Sequence, residues 1–183
     1  MILFLYGEDT YRSKKKLVEI RAKFTRDIDP SNLNLQELDG EKSDLGEIRA
    51  AVSAAPFLAK KRMLVLTDAI ANASKKEADA LAELLDAVPD ETILVVRERA
   101  GAEDLQDSPA FEKLKGGKFY PEFRPLGPKE LQAWILAESE ARGVEFFKDA
   151  LTAYLPMAGT DAWKIAGELD ALAATARANG SGQ

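Results

Sequence analysis

Three acidic side chains stand where an α/β protein would do phosphate or magnesium chemistry. Glu8 and Asp9 follow the apolar run 2–6, and Asp68 follows the apolar run 63–66. The first of these turns reads Y-G-E-D-T-Y-R-S-K-K-K. A phosphate-binding loop needs G-x-x-x-x-G-K-[ST], because glycine N–H groups cradle the phosphates and the lysine reaches their far end. Here Gly7 stands alone, and two carboxylates would repel an arriving polyphosphate. Nucleotide hydrolysis is therefore not expected. The run L-V-L-T-D ending at Asp68 resembles a Walker B strand, whose aspartate organises magnesium, but without a phosphate loop the match carries little. The simpler reading is that Asp68 caps the turn after it. An alternative uses the same acids as the magnesium pocket and phosphoacceptor of a receiver-like signalling domain. That domain also wants a lysine at the end of a fifth strand, whereas Lys118 stands at its start and Arg124-Pro125 at its end. The chain has no Cys and no His, which removes thiolate chemistry, Ser-His-Asp triads and the commonest metal ligand. No catalytic residue, cofactor or metal is expected.

A second stretch carries chemistry of another kind. Residues 54–68 read A-A-P-F-L-A-K-K-R-M-L-V-L-T-D. A helix pattern ends at Pro56, the bulky pair Phe57 and Leu58 follows, and Lys60, Lys61 and Arg62 lead into a strand. Either the apolar pair folds back into the core, which is the commoner fate, or it is held out for a partner. The basic residues are solvated surface or a phosphate-facing run. So is Lys14-Lys15-Lys16, while Glu168 and Asp170 read as a solvated helix face. With a net charge of −6 no global field draws the chain to nucleic acid, and sequence-specific DNA reading is not expected.

These residues need a scaffold, and its pattern alternates strand and helix. The 183 residues, 46% hydrophobic and 31% charged, suffice for one medium domain with a small appendage. Strands are expected at Ile2–Tyr6, 33–38, 63–67, 93–96 and 118–123, with Pro121 pushing the last to an edge or a break. Helices are expected at about 10–26, after Asp44, from Ser74 to about Ala87, and at 109–114, with 100–107 a loop. Alternation of this sort implies a five-stranded, mainly parallel sheet covered by helices, an α/β fold. After Pro125 the pattern is purely helical, at 129–142, 148–155 and 160–177, with Phe146 and Phe147 in the core of that part. The expected organisation is an α/β domain over 1–125, a three-helix lid over 126–178 and a flexible tail over 179–183. The N-terminal apolar run is too short for a signal peptide or a membrane span, which reads as a cytoplasmic protein.

Taken together these segments resemble the delta subunit of the bacterial DNA polymerase III clamp loader. F-L-Y-G-E-D-T-Y-R at 4–12 looks like that family's start, a strand followed by G-x-[ED]-x-[YF] in place of a phosphate loop. P-F-L-A-K-K-R-M-L-V-L at 56–66 is similar to its P-L-F-x-x-x-R-x-V-x-V segment, with the Leu-Phe order swapped. The runs 134–144 and 149–155 resemble its lid helices, and G-T-D-A-W-K-I-A-G-E-L-D-A-L at 159–172 resembles a further family signature. The resemblance spans about the first half of a typical member, and the helical collar through which clamp-loader subunits assemble has no counterpart in these residues. It implies an AAA+-like fold without a nucleotide site, no ATPase activity, and a subunit that binds and opens the sliding clamp, the beta subunit. It implies that Phe57 and Leu58, with Pro56 beside them, enter the clamp's hydrophobic pocket, while Lys60, Lys61 and Arg62 complement an acidic rim. The further partners implied are the ATPase and delta-prime type subunits, given a collar, with DNA met only indirectly or weakly and no membrane.

Overall fold

The computed structural model describes residues 1–146 and 148–180. By its internal contacts the chain divides into two compact units, Met1–Arg124 and Pro125–Gln183. The first is built on four parallel strands, β1 (Ile2–Tyr6), β2 (Leu35–Asp39), β3 (Arg62–Thr67) and β4 (Thr92–Glu98), in the spatial order β1-β4-β3-β2. The helices of this unit are α1 (Thr10–Asp27), α2 (Leu45–Ser53), α3 (Lys75–Asp86), α4 (Ala102–Leu105) and α5 (Pro109–Lys115).

β3 and β4 lie in the middle and are buried on both faces, which is why they read as unbroken apolar runs rather than as alternation. Successive side chains leave opposite faces of a strand. Phe4, Tyr6, Leu64, Leu66, Leu94 and Val96 meet Ile48 and Val52 of α2, Leu81 of α3 and Phe111 of α5 on one face. Leu5, Met63, Val65, Ile93 and Val95 meet Leu17 and Phe24 of α1 on the other. Phe111 packs edge-on against both Phe4 and Tyr6, with ring centroids 5.9 and 5.3 Å apart. Capping boxes start two of the helices: Asp44 with Glu47 on α2, and Ser74 with Glu77 on α3.

The sheet has four strands, not five. Residues 118–123 do run beside β1: Phe4 N–H donates to Phe119 O (2.9 Å), and Phe123 N–H donates to Tyr6 O (2.7 Å). Between these, Pro121 has no N–H to give, so the contact shrinks to one isolated parallel bridge, Tyr6 to Glu122. Two further expectations need correction in this unit. Leu33 is 63% exposed and precedes β2, which begins at Leu35. The stretch 100–107 holds α4, folded because Leu105 is buried against the α3–α5 side of the core.

The second unit contains α6 (Pro128–Ala141), α7 (Lys148–Ala158) and α8 (Ala162–Gly180) around Leu131, Ile135, Leu151, Ile165 and Leu169. α7 runs through Pro156 to Ala158, although proline has no N–H to donate to the preceding turn. α8 continues to Gly180, so residues 179 and 180, expected in the tail, belong to this helix; residues 181–183 lie outside the described residues. Phe146 packs on this core, stacked on Tyr154, whereas Phe147 lies outside the described residues. Glu168 and Asp170 are more than a solvated face. Glu168 accepts from Tyr154 Oη (2.6 Å), and Asp170 pairs with Arg142 (2.7 Å), which also holds Glu138 (2.6 Å). Among the described residues no helix is long and apolar enough to cross a membrane.

Candidate protein-docking site

Phe57 and Leu58 are not folded back. Phe57 is 59% exposed and Leu58 92%, on a turn between the end of α2 and the start of β3. Because strands β2 and β3 run parallel, this turn lies at their amino-terminal border, away from the ends where α/β folds hold nucleotides. Leu58 has φ +51, in the left-handed region that a leucine seldom adopts, so surrounding contacts must hold the turn.

Those contacts come from both sides. On one side stands Asn34, itself 5% exposed. Its Nδ2 donates to Phe57 O (2.9 Å), and its Oδ1 accepts from Phe57 N–H (2.5 Å). Asn34 is fixed in turn: Asp29 accepts from its backbone N–H (2.7 Å) and side chain (3.2 Å), and its carbonyl accepts from Met63 N–H (2.8 Å). Burial pushes the Asp29 carboxyl up, but hydrogen bonds from Ser31, Asn34 and Leu33 outweigh it and hold the group below its usual range. On the other side stands Arg62, 6% exposed. Its guanidinium donates to the Ala51 carbonyl, to Ala54 O (3.1 Å) and to Gln36 Oε1 (2.7 Å). A cation on the free carbonyls at the end of α2 meets the negative end of that helix. Arg62 is therefore a buried staple under the turn and not the rim charge expected of it. Lys60 is exposed, Lys61 donates to Asp90 O (2.8 Å), and Pro56 is half-buried at the foot of the turn.

The opposite border, at the carboxyl ends of the strands, is closed on itself. Gly7 N–H donates to Glu98 O (3.2 Å) and Ala100 O (3.0 Å), and Asp9 N–H donates to Phe123 O (2.8 Å). The Asp9 carboxylate caps α1 through Arg12 N–H (2.9 Å) and pairs with Arg12 Nε (2.6 Å). The N–H groups that would have to meet a phosphate are thus already engaged. Asp68 does not cap its own turn, as expected of it. It accepts from Arg99 N–H (3.0 Å) and Arg99 Nε (2.7 Å), across from β4. The turn after β3 is held instead by Glu98, fully buried, which accepts from Ala69, Ile70 and Ala71 N–H at 2.8, 2.9 and 3.3 Å. An open cleft of about 360 Å³ here is lined by Glu41, Asp68 and Glu77 among neutral residues, and Arg99 pairs with both Asp68 and Glu41. Among the described residues no three acidic side chains converge to hold a metal, so Glu8, Asp9 and Asp68 do not form a receiver's pocket.

Asn34, Asp29 and Glu98 were not visible as functional or positioning residues in the sequence. For the first two a signal existed: D-P-S-N-L-N is rich in the residues that bond back to nearby backbone. Glu98 looks, in sequence, like any charged residue after a strand.

Burial pushes the Glu98 carboxyl up to about 7 from an ordinary 4.5, against the pull of its three N–H donors. Below pH 4.5 the group is neutral in both folded and unfolded chains. As pH rises to about 7, the unfolded chain releases the proton and the folded one keeps it, so this contribution to stability is lost across that window. Denaturant titrations of the parent and of Glu98→Gln should therefore diverge with pH. The parent should lose ground at no more than about 1.4 kcal/mol per pH unit as pH rises. A difference that stays constant from acid to neutral pH would contradict this protonation.

A family model described as DNA polymerase III, delta subunit, matches residues 3–118. Among solved structures, the chain is similar to the Bacillus subtilis DNA clamp loader delta protein, with a TM-score of 0.67 at 20% identity. That match covers 95% of this chain and 53% of the other, so this chain spans about half the length of the B. subtilis protein. It is similar also to domain III of the Thermotoga maritima replication initiation protein DnaA (TM-score 0.61, 15% identity, 98% of this chain and 78% of that one). A third likeness is to the T. maritima RuvB Holliday junction branch migration motor (TM-score 0.56, 16% identity, 91% and 52%). At such identities the likeness shows a shared mixed α/β fold. No curated protein sequence matches the chain.

Proposed function

This chain belongs to the DNA polymerase III delta subunit family, and from that premise we propose that it is a non-catalytic clamp-loader subunit that binds and opens the sliding clamp. Phe57 and Leu58 form the tip that enters an apolar pocket on the clamp. Pro56 sets the direction of the turn, Lys60 and Lys61 meet an acidic rim and speed encounter, and Arg62 holds α2 beneath the tip. The single observation that supports this most is the exposure of two adjacent large apolar side chains on a turn braced from both sides. An apolar pair of this kind, rigid before contact, is what a small interface uses as its anchor.

Opening follows from differential binding. A tip that fits a strained or open clamp better than a closed ring shifts the clamp toward opening by that difference in affinity. The chain itself hydrolyses no nucleotide in this reading, because the end of β1 is occupied by its own carboxylate and by the 119–123 backbone. ATP is then used by other clamp-loader subunits, and together with a delta-prime type subunit these are the remaining partners. DNA is met only indirectly, and the work is done in the cytoplasm. Surface plasmon resonance against the cognate sliding clamp tests the reading. Saturable binding is expected, together with silence when the protein is titrated with ATP and magnesium in a calorimeter. Absence of clamp binding would remove it.

A further inference from the structure

Phe57 has its backbone N–H and its carbonyl turned inward, toward a single side chain. Asn34 accepts from the first at 2.5 Å and donates to the second at 2.9 Å, the two-point pattern by which one strand residue holds another. A primary amide offers both a donor and an acceptor on one small planar group, and no other short side chain matches it at neutral pH. The amide cannot drift, since Asn34 is buried, its Nδ2 also reaches Asp29 Oδ1 at 3.2 Å, and its main chain is tied on both sides. With Phe57 fixed in this way, the next residue leaves the turn at φ +51 and its side chain is 92% exposed.

We propose that Asn34 is a positioning residue for the tip: its side-chain amide grips the Phe57 backbone, so that Phe57 and Leu58 are presented before any partner arrives. The proposal rests on the docking role of that pair, but the grip itself has a readout that needs no partner. Asn34 Nδ2 donates to two acceptors, Phe57 O and Asp29 Oδ1, so its donor matters as much as its oxygen.

Two substitutions separate grip from general stability. Asn34→Ala removes both contacts, and the protection factor of the Phe57 amide against hydrogen exchange should fall roughly tenfold or more, with Val65 in β3 unchanged. Asn34→Asp keeps the shape and the acceptor. When ionised it lacks the donor, so Phe57 O loses its partner and faces a carboxylate set beside Asp29. This repulsion should open the turn, so Phe57 protection should be lowered at neutral pH although the acceptor for its N–H is kept. It should recover toward the parent value in acid, where the introduced carboxyl is protonated and can donate to Phe57 O. The parent's protection factor should show no such recovery. Clamp affinity, measured on the same three proteins, should follow the Phe57 protection, falling roughly tenfold for Asn34→Ala. Phe57 protection unchanged in Asn34→Ala overturns the grip, whatever the clamp does. Protection lost with clamp affinity kept overturns the positioning role. If the parent itself fails to bind the clamp, the docking reading falls while the exchange data still decide the grip.

Discussion

Phe57→Ala/Leu58→Ala, made together, is expected to leave the fold intact and to abolish measurable clamp binding. The two side chains are 59% and 92% exposed, so the folded state gives up little packing when they are shortened. Buried in a partner's pocket, each would contribute about 1.5–3 kcal/mol of apolar transfer. Losing both therefore weakens binding by roughly a hundredfold or more, at about 1.4 kcal/mol per tenfold. Circular dichroism and a thermal melt should match the parent, while surface plasmon resonance against the clamp should lose its signal at concentrations that saturate the parent. Undiminished affinity in the double variant would mean that the clamp is held elsewhere. A lowered melting temperature of several degrees would mean that the pair is part of the core after all.

Gly7→Ala is expected to be the most damaging single methyl group in the first unit. Gly7 has φ +127, a conformation that L side chains rarely adopt, and a Cβ there would lie 2.4 Å from Phe123 O and 2.6 Å from its carbonyl carbon. Both neighbours are backbone, so no rotamer change relieves the clash. Conformational strain of about 1–3 kcal/mol adds to overpacking of about 1–3 kcal/mol. Chemical denaturation should show a loss of about 2–6 kcal/mol, with a fall in Tm on the order of 10 °C. An unfolding curve superimposed on the parent's would show that residues 119–123 do not sit tightly against the end of β1. The same close approach explains why Asp9 N–H is taken by Phe123 O, so this one glycine underlies the closure of the would-be phosphate site.

Much of the scaffold was legible because its signals are local. The runs at 63–67 and 93–96 are apolar without alternation, which only a strand covered on both faces tolerates. Asp44 and Ser74 announce their helices three residues ahead of a glutamate. Residues 118–123 look like a fifth strand because their aromatic residues fit one, while one missing N–H decides whether a ladder forms. Leu105 gave α4 too faint a pattern, since a single buried leucine has no period. At the docking site the legible part was composition. An apolar pair beside a basic run says that something unusual happens, but its side of the surface depends on residues far away in sequence. Asn34 lies 23 positions before Phe57, and nothing local to 56–58 names it. Arg62 misled for a related reason. A cation next to two lysines looks solvated, yet its long side chain reaches back 11 residues to the carbonyl of Ala51.

The two margins of the sheet are guarded differently, and this limits how the first unit can associate. Along β1 the chain's own residues 119–123 engage Phe4 N–H, Tyr6 N–H and Tyr6 O. Along β2, Gln36 and Glu37 are exposed, and Glu37 is paired with Arg21 at 2.7 Å, so an incoming strand would meet charge and would have to break that pair. Neither margin invites a foreign strand to extend the sheet. A complex that includes this unit is left to form through turns and side chains, and the most apolar turn it offers is the one between α2 and β3.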